Sequence, residues 1–366
     1  MTFRPERVLE NHALAHAQCF VQDDPEGRSC AVVVARLTWE VSPYGQAEVA
    51  LEQRPIRTET SWTRGAASSV RFPSDRATAK LGTDVILLGA AHPPPRTNGT
   101  APPTEVDVRF RIEAGNRTLH KAVRAFGNRV FMKKLLGVVP GPAEPIVEPV
   151  PLVYELAEGG TDSHAELRHR VHPLNPVGRG YGPEGSLVGT EAPRIESLEG
   201  SQPAGFGAIA PQWPRRRALY GTTDDRYYRH RYPVAPSDFD RRFTSDAHPD
   251  LWSELPLFGN EAVEVVGAVP EGAWRYRLPL YAPRFDVTLD GVETPWPTHL
   301  DTYLIDLTDT ERRTVELSWR IAVPLPKKTE RLGTIRVTNG TELPAGFYPG
   351  LRGRIDQHRH EKETRP

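Results

Sequence analysis

The sequence predicts a mostly β protein: antiparallel, sandwich-like sheets with long ordered loops rich in glycine, proline and aromatic residues, and few short helices. Three observations carry this. Short segments alternate apolar and polar residues with a period of two. Turn residues fall between those segments. Almost no stretch sustains the 3.6-residue period of a helix.

Taken in order, residues 30–41, "CAVVVARLTWEV", are an apolar Val-rich run short enough for a buried strand. Residues 83–91, "TDVILLGAA", are another, stopped by "HPPPRTNGTAPP". "EVDVRFRI" sets Val106, Val108, Phe110 and Ile112 on one face and Asp107, Arg109 and Arg111 on the other. "EAGNRT" turns and "LHKAVRAF" returns, which is a hairpin signal with a Gly-Asn turn. Residues 140–260 change character: Pro, Gly, Trp, Tyr and Arg dominate, and no period holds for long. So much unpatterned chain is either functional or disordered. The aromatics favour order, with Phe206, Trp213, Tyr220 and Phe239 expected to be largely buried as anchors. Only residues 238–255 hint at a short helix, broken at Pro249. Period two then returns in "EAVEVVGAV", in Trp274, Tyr276 and Leu278, and in Phe285, Val287 and Leu289 before the Asp290-Gly291 turn. "TYLIDL" follows, and Val315, Leu317, Trp319 and Ile321 share a face. One further strand is expected at 334–338, before a polar tail expected to fray.

The 366 residues can bury a large core, and length alone suggests about two domains. The formal net charge of −1 gives no global basic field to draw the chain to nucleic acid or an anionic membrane. Pro 36 and Gly 30 exceed ordinary usage, but the supply of aromatic and β-branched residues points to ordered loops rather than disorder. Cys19 and Cys30 are too few for a disulfide framework and fit no zinc spacing; reduced thiols are expected, with one optional disulfide if the two lie on paired strands. The N-terminus lacks the apolar segment of a signal peptide, and no run of about 18 apolar residues exists, so a cytoplasmic location is expected. N-x-T sequons at Asn98, Asn116 and Asn339 read as chance in that setting.

Each chemical motif has a plainer reading beside it. Gly180, Gly182 and Gly185 in "GYGPEG" match a dinucleotide fingerprint. That fingerprint needs a strand before it and a helix after it. Pro173, Pro176, Pro183, Gly189 and Pro193 argue against both, so an ordered turning loop without cofactor is expected. His164, His169 and His172, with Glu166, could ligate zinc or copper, but the spacing fits no closed site. A solvated polar loop, with no metal, is the expectation. His12 and His16 stand four apart on a doubtful helix, and His358 and His360 lie in the tail. Asp224-Asp225 and the pair Asp238 and Asp240 lie near Trp213, Tyr227, Tyr228 and Tyr232, a composition that suits glycoside cleavage. The same carboxylates serve equally as turn and helix caps. "WPRRRALY" is one short basic patch, ordinary for a protein-facing or solvated surface. Serine-hydrolase, phosphate-loop, C-x-x-C and kinase signatures are missing.

The middle of the chain carries a resemblance. "PLVYELAEGG", "NPVGRG", "APRIE", "GFGAIAPQWPRRRALYGTTDDRYYRHRYPVAPSDFDRRF", "LFGNEAVEV" and "RLPL" occur in this order, with "KLGTDV" ahead of them. Together they resemble the bacterial family known as domain of unknown function 2169, from about Leu37 to Pro326. The motif positions are Asn175, Pro176, Gly178, Gly180, Trp213, Gly221, Thr222, Asp224, Asp238 and Asp240. Asn128 and Phe131 stand where Asp and Trp are expected, Arg194 in place of Asn, Tyr227 in place of Trp and Leu251 in place of Gln; these departures bear on partner choice. The layout is an N-terminal segment 1–36, a family-like β domain 37–326 in one piece or two lobes (37–140 and 141–326), and a C-terminal extension 327–366. The resemblance implies a role in type VI secretion, as a non-catalytic adaptor or chaperone that helps load a toxic effector onto the VgrG spike. The implied partners are the secreted effector and the VgrG and PAAR-type spike components, with no nucleic acid and no membrane. Exposed Arg216, Tyr228 and Arg231 are the candidate contacts, because Tyr, Trp and Arg are enriched at interface cores. Two alternatives stand beside it: a carbohydrate-directed enzyme or ligand-binding protein using the acidic and aromatic residues of the middle loops, and a scaffold component of the apparatus.

Overall fold

The longest apolar run becomes the longest strand. A computed structural model describes residues 4–63, 68–95, 101–162, 170–200, 202–326 and 331–341. In it Ser29–Val41 is buried along nearly its whole length. Its Val-rich stretch suits a strand covered on both faces. This strand lies inside a seven-stranded sheet ordered Trp252–Ser253, Thr83–Leu88, Leu300–Asp306, Thr314–Pro324, Ser29–Val41 and His16–Asp23, with Ala47–Val49 paired to the far end of Ser29–Val41. Leu300–Asp306 runs parallel to Thr83–Leu88; the other pairings in this sheet are antiparallel.

A five-stranded antiparallel sheet has the order Ile195–Ser197, Arg117–Phe126, Glu105–Ala114, Ala262–Val266 and Ala273–Arg277. Its central hairpin turns at Gly115, whose φ of 63 is the positive value such a turn needs. A four-stranded sheet has the order Leu9–Asn11, Leu332–Asn339, Pro283–Leu289 and Val292–Trp296. Inward side chains of all three sheets, among them Leu37, Trp39, Phe110, Val265, Trp274, Val287, Trp319 and Ile335, form one apolar cluster. Burial of that area is the main favourable term in folding.

The N-terminal segment is not separate from this architecture. His16–Asp23 is a strand and not a helix, and residue 37 falls within Ser29–Val41. The stretches 37–140 and 141–326 share the seven-stranded and five-stranded sheets. Cys19 stands opposite Val33 and Cys30 opposite Gln22, so the thiols do not face one another across the ladder, and both are free. Burial, and secondarily Glu6, pushes the Cys19 thiol up to about 12.

The unpatterned middle is ordered by short elements. Two-residue ladders join Ala90–Ala91 to Val150–Pro151, Glu158–Gly159 to Arg179–Gly180, and Thr161–Asp162 to Arg170–Val171. The helices are Glu184–Leu187, Pro214–Ala218 and Asp225–His230, and 3-10 turns cover Arg241–Thr244 and Pro249–Leu251. Pro249 opens the last of these rather than only breaking a helix. Phe206 and Trp213 are fully buried; Tyr220 and Phe239 are half-buried, stacked edge-on with each other and with Phe243. Contrary to the sequence reading, a strand precedes "GYGPEG" and a helix leaves it, yet they are two and four residues long. One turn of helix aligns too few peptide dipoles to hold a pyrophosphate. Gly180 has a structural task instead: its φ is 88, and a Cβ there would stand 2.9 Å from the Phe131 ring.

Candidate functional site

Alternation along Thr314–Pro324 sends Val315, Leu317, Trp319 and Ile321 to the core, and Glu316, Ser318 and Arg320 to the opposite face. In a two-layer protein that second face would be wet. Here all three residues are buried; Arg57 covers Glu316, and the stretch Asp75–Ala77 covers Arg320. Arg36 of Ser29–Val41, Thr302 of Leu300–Asp306 and Asp84 of Thr83–Leu88 join them on that face.

The charges are matched one for one. Lys80 Nζ donates to Asp84 Oδ2 at 2.6 Å, to Asp246 Oδ2 at 2.7 Å and to Thr302 Oγ1 at 3.2 Å. Arg216 Nη1 donates to Asp246 Oδ1 at 2.7 Å and to Ile209 O at 2.5 Å, and its Nε to Phe243 O at 2.9 Å. Arg320 pairs with Asp301 and donates to the carbonyls of Asp75 and Ala77. Arg36 pairs with Asp75 and donates to Pro55 O, while Arg57 pairs with Glu316. Burial alone would raise Asp246, but Lys80 and Arg216 outweigh it and hold the carboxyl below its ordinary value. Burial would likewise lower Lys80, and Asp246 and Asp84 reverse that. Burying ions costs several kcal/mol each, offset only by geometry of this kind. The network therefore has a definite mechanical consequence: it fixes irregular loops to a rigid sheet.

A second buried group lies nearby. Lys121, on the inner side of the hairpin strand Arg117–Phe126, has its Nζ 3.3 Å from His248 Nε2 and 3.3 Å from Asp250 Oδ2. Burial first, and the Lys121 charge second, press His248 down to about 3.

The motif residues build these loops. Asn175 is buried, and its Nδ2 donates to the carbonyls of Tyr154 and Glu158, each at 2.9 Å. Pro176 follows it, half-buried, and Gly178 packs where a Cβ would meet Asn175 Nδ2 at 2.4 Å. Trp213 meets Tyr154 edge-on at 5.1 Å. Gly221 has φ 97, and a Cβ there would meet Asp238 at 2.6 Å. Asp238 accepts from Thr222 N and Oγ1, which hold its carboxyl below the ordinary value. Asp224 caps Asp225–His230 by accepting from Tyr227 N at 2.8 Å, and Asp240 caps Arg241–Thr244 while pairing with Arg242. Of the carboxylates that suggested sugar chemistry, Asp224, Asp238 and Asp240 serve as caps and turn ties, and exposed Asp225 pairs with Arg229.

Of the three candidate contacts, Arg216 is corrected: it is 9% exposed and committed to Asp246. The local basic run gave no sign of a carboxylate thirty positions later. Tyr228 is 58% exposed and Tyr232 is 65% exposed; both stack on buried Tyr227, and exposed Arg226, Arg229 and Arg231 stand beside them in the sequence, with Arg229 paired to Asp225. Arg231 Nε donates to Ala235 O, which ties its stem to the loop. An apolar cleft of about 310 Å³ is lined by Leu174, Ile209, Leu219 and Trp252, with Arg215 and Arg242 among its walls. Among the departures, Phe131, Tyr227 and Leu251 are buried, and half-buried Arg194 donates from Nε to Phe126 O. Asn128 is exposed.

Among the described residues, no group of three His, Cys, Asp or Glu could hold a metal ion. His164, Glu166 and His169 lie outside them, as do Asn98, His358 and His360. His172 is a structural acceptor, taking the Asn175 N–H on Nδ1 at 3.1 Å. No helix among the described residues is long and apolar enough to cross a membrane. The sequence signal that was missed is a charge inside an apolar run: Arg36 in "CAVVVARLTWEV" and Asp84 in "TDVILLGAA".

No curated protein and no solved structure matches this chain. One family does, described as an uncharacterized protein conserved in bacteria (DUF2169), over residues 26–320, so the match starts before residue 37 and ends before 326. It spans most of the 366 residues, including the charged sheet face and the loops over it, and the chain belongs to the DUF2169 family.

Proposed function

We propose that the protein is a non-catalytic adaptor that binds a toxic effector, or its tip domain, and aids its loading onto the VgrG spike of a type VI secretion system. One observation carries the reading. The loops fixed over the charged sheet face present Tyr228 and Tyr232 to solvent on a segment that also exposes Arg226, Arg229 and Arg231. A rigid Tyr-Arg surface loses little entropy on binding, and these residue types dominate interface hot spots. The motif carboxylates are engaged in caps and turns, which favours a scaffold for loops over a reaction centre. Loading must be completed on the spike, so the interface has a standard size of roughly 1,200–2,000 Å² rather than that of an obligate complex.

The test is deletion of the gene with measurement of secretion of the effector encoded beside it. Export of that effector should fall while the spike is still secreted, and the purified proteins should form a complex. Unchanged export together with no recovered complex would end the adaptor reading.

A further inference from the structure

Segments distant in sequence meet around the apolar cleft of about 310 Å³: Leu174, Ile209, Leu219 at the end of the helix Pro214–Ala218, and Trp252 of the strand Trp252–Ser253. Each wall is held by the fold itself. Leu174 N donates to His172 Nδ1 at 3.4 Å, Ile209 N to Asp246 O at 2.7 Å and Leu219 N to Arg216 O at 3.0 Å, while Trp252 pairs with Asp84 in the seven-stranded sheet. A preformed apolar cleft of this size falls at the small end of the roughly 300–1,000 Å³ range of small-molecule sites. Its charged lining has one sign. Arg215, Arg216 and Arg242 line it, and no carboxylate does. Arg216 is engaged by Asp246 and two carbonyls, and Arg242 by Asp240. Arg215 is exposed and, among the described residues, has no hydrogen bond or ion pair.

We propose that this cleft binds an aliphatic carboxylate, its hydrocarbon against Leu174, Ile209, Leu219 and Trp252 and its carboxylate on Arg215. Charge selects this class of ligand. A hydrocarbon amine would bring a cation to a wall of three guanidiniums with no carboxylate to receive it. A neutral hydrocarbon would gain nothing from Arg215. One free guanidinium matches one carboxylate through two parallel hydrogen bonds, whereas a phosphate monoester, close to doubly charged, would keep charge unmet.

This site is independent of the adaptor reading, because Tyr228 and Tyr232 do not line the cleft. Calorimetric titration of the full chain with butanoate, hexanoate, octanoate and octylamine tests it, on the wild type and on Arg215→Gln. Arg215 is exposed, so the unfolding midpoint should stay unchanged in the variant. Affinity should rise about fourfold per methylene along the carboxylate series, as each buries in the apolar walls. Octanoate should bind about tenfold more weakly to Arg215→Gln, and octylamine more weakly than octanoate to the wild type by at least about that factor. No binding of octanoate at millimolar concentration, equal octanoate affinity in the two proteins, or octylamine bound as tightly as octanoate overturns the proposal. Sedimentation of the wild type as a dimer that Arg215→Gln converts to monomer also overturns it, by assigning the cleft to an acidic segment of a second copy.

Discussion

Lys80→Met tests whether the buried network holds the loops. The ammonium is enclosed between Asp84, Asp246 and Thr302. After substitution Asp246 keeps Arg216, and Asp84 keeps only the Ser245 hydroxyl and the Asp246 N–H. Two buried carboxylates then share one cation. Removing one partner of a buried pair costs about 3–5 kcal/mol. That is a large part of the ~5–15 kcal/mol a folded protein has. Urea unfolding followed by tryptophan fluorescence reads it: with a slope of about 3 kcal/mol/M the midpoint falls by about 1 M or more. Adding Asp84→Asn to Lys80→Met removes the stranded charge and should restore about half of the loss. Limited proteolysis of the single variant should cut first within 206–248. A loss under about 1 kcal/mol, or a double variant weaker than the single, would refute the reasoning.

Acid should act at His248, and in the same direction at His16 and His92, which burial also lowers. The folded value of His248 is about 3, against ~6.5 in an unfolded chain, so the unfolded state binds the proton first as pH falls. Its contribution is complete above about pH 6.5 and is lost as pH falls towards 3, amounting to about 2 kcal/mol at pH 5. His248→Gln should flatten that limb in unfolding curves at pH 7 and pH 5; the same pH dependence in both proteins would contradict it. Asp246 and Asp301, held below their ordinary values, add a further loss below about pH 4. Trp213→Ala should cost about 3–5 kcal/mol by opening a cavity beside Tyr154, read in the same unfolding assay, and a loss under 1 kcal/mol would refute it. Calorimetric titration with NAD, ATP and FAD should show no binding to "GYGPEG"; micromolar affinity lost in Gly182→Val would overturn that reading.

The strands and tight turns were legible because their causes are local. Asp290 and Gly291, with φ of 52 and 79, make the two-residue turn that Asp-Gly favours between Leu289 and Val292. Alternation reports which residues share a face, but not whether that face meets water. The face opposite the apolar one carries Glu316, Ser318 and Arg320, whose burial depends on Arg57 and the stretch Asp75–Ala77 from distant chain. Arg216 was misjudged for the same reason, since its partner Asp246 is fixed by tertiary structure. His16–Asp23 escaped notice because its burial alternates weakly and its pairing with Ser29–Val41 supplies the order. The aromatic anchors were half legible: Phe206 and Trp213 lie in the interior, whereas Tyr220 and Phe239 wall a cleft of about 440 Å³ and keep an open side.

Whether the Tyr-Arg surface binds an effector is measured most directly by calorimetry with the purified effector encoded beside the gene. The proteins compared are the wild type and Tyr228→Ala with Tyr232→Ala. Both rings are largely exposed, so folding should be unchanged while affinity falls about 30-fold or more. Equal affinity in the two proteins, or no binding by the wild type, would contradict the account.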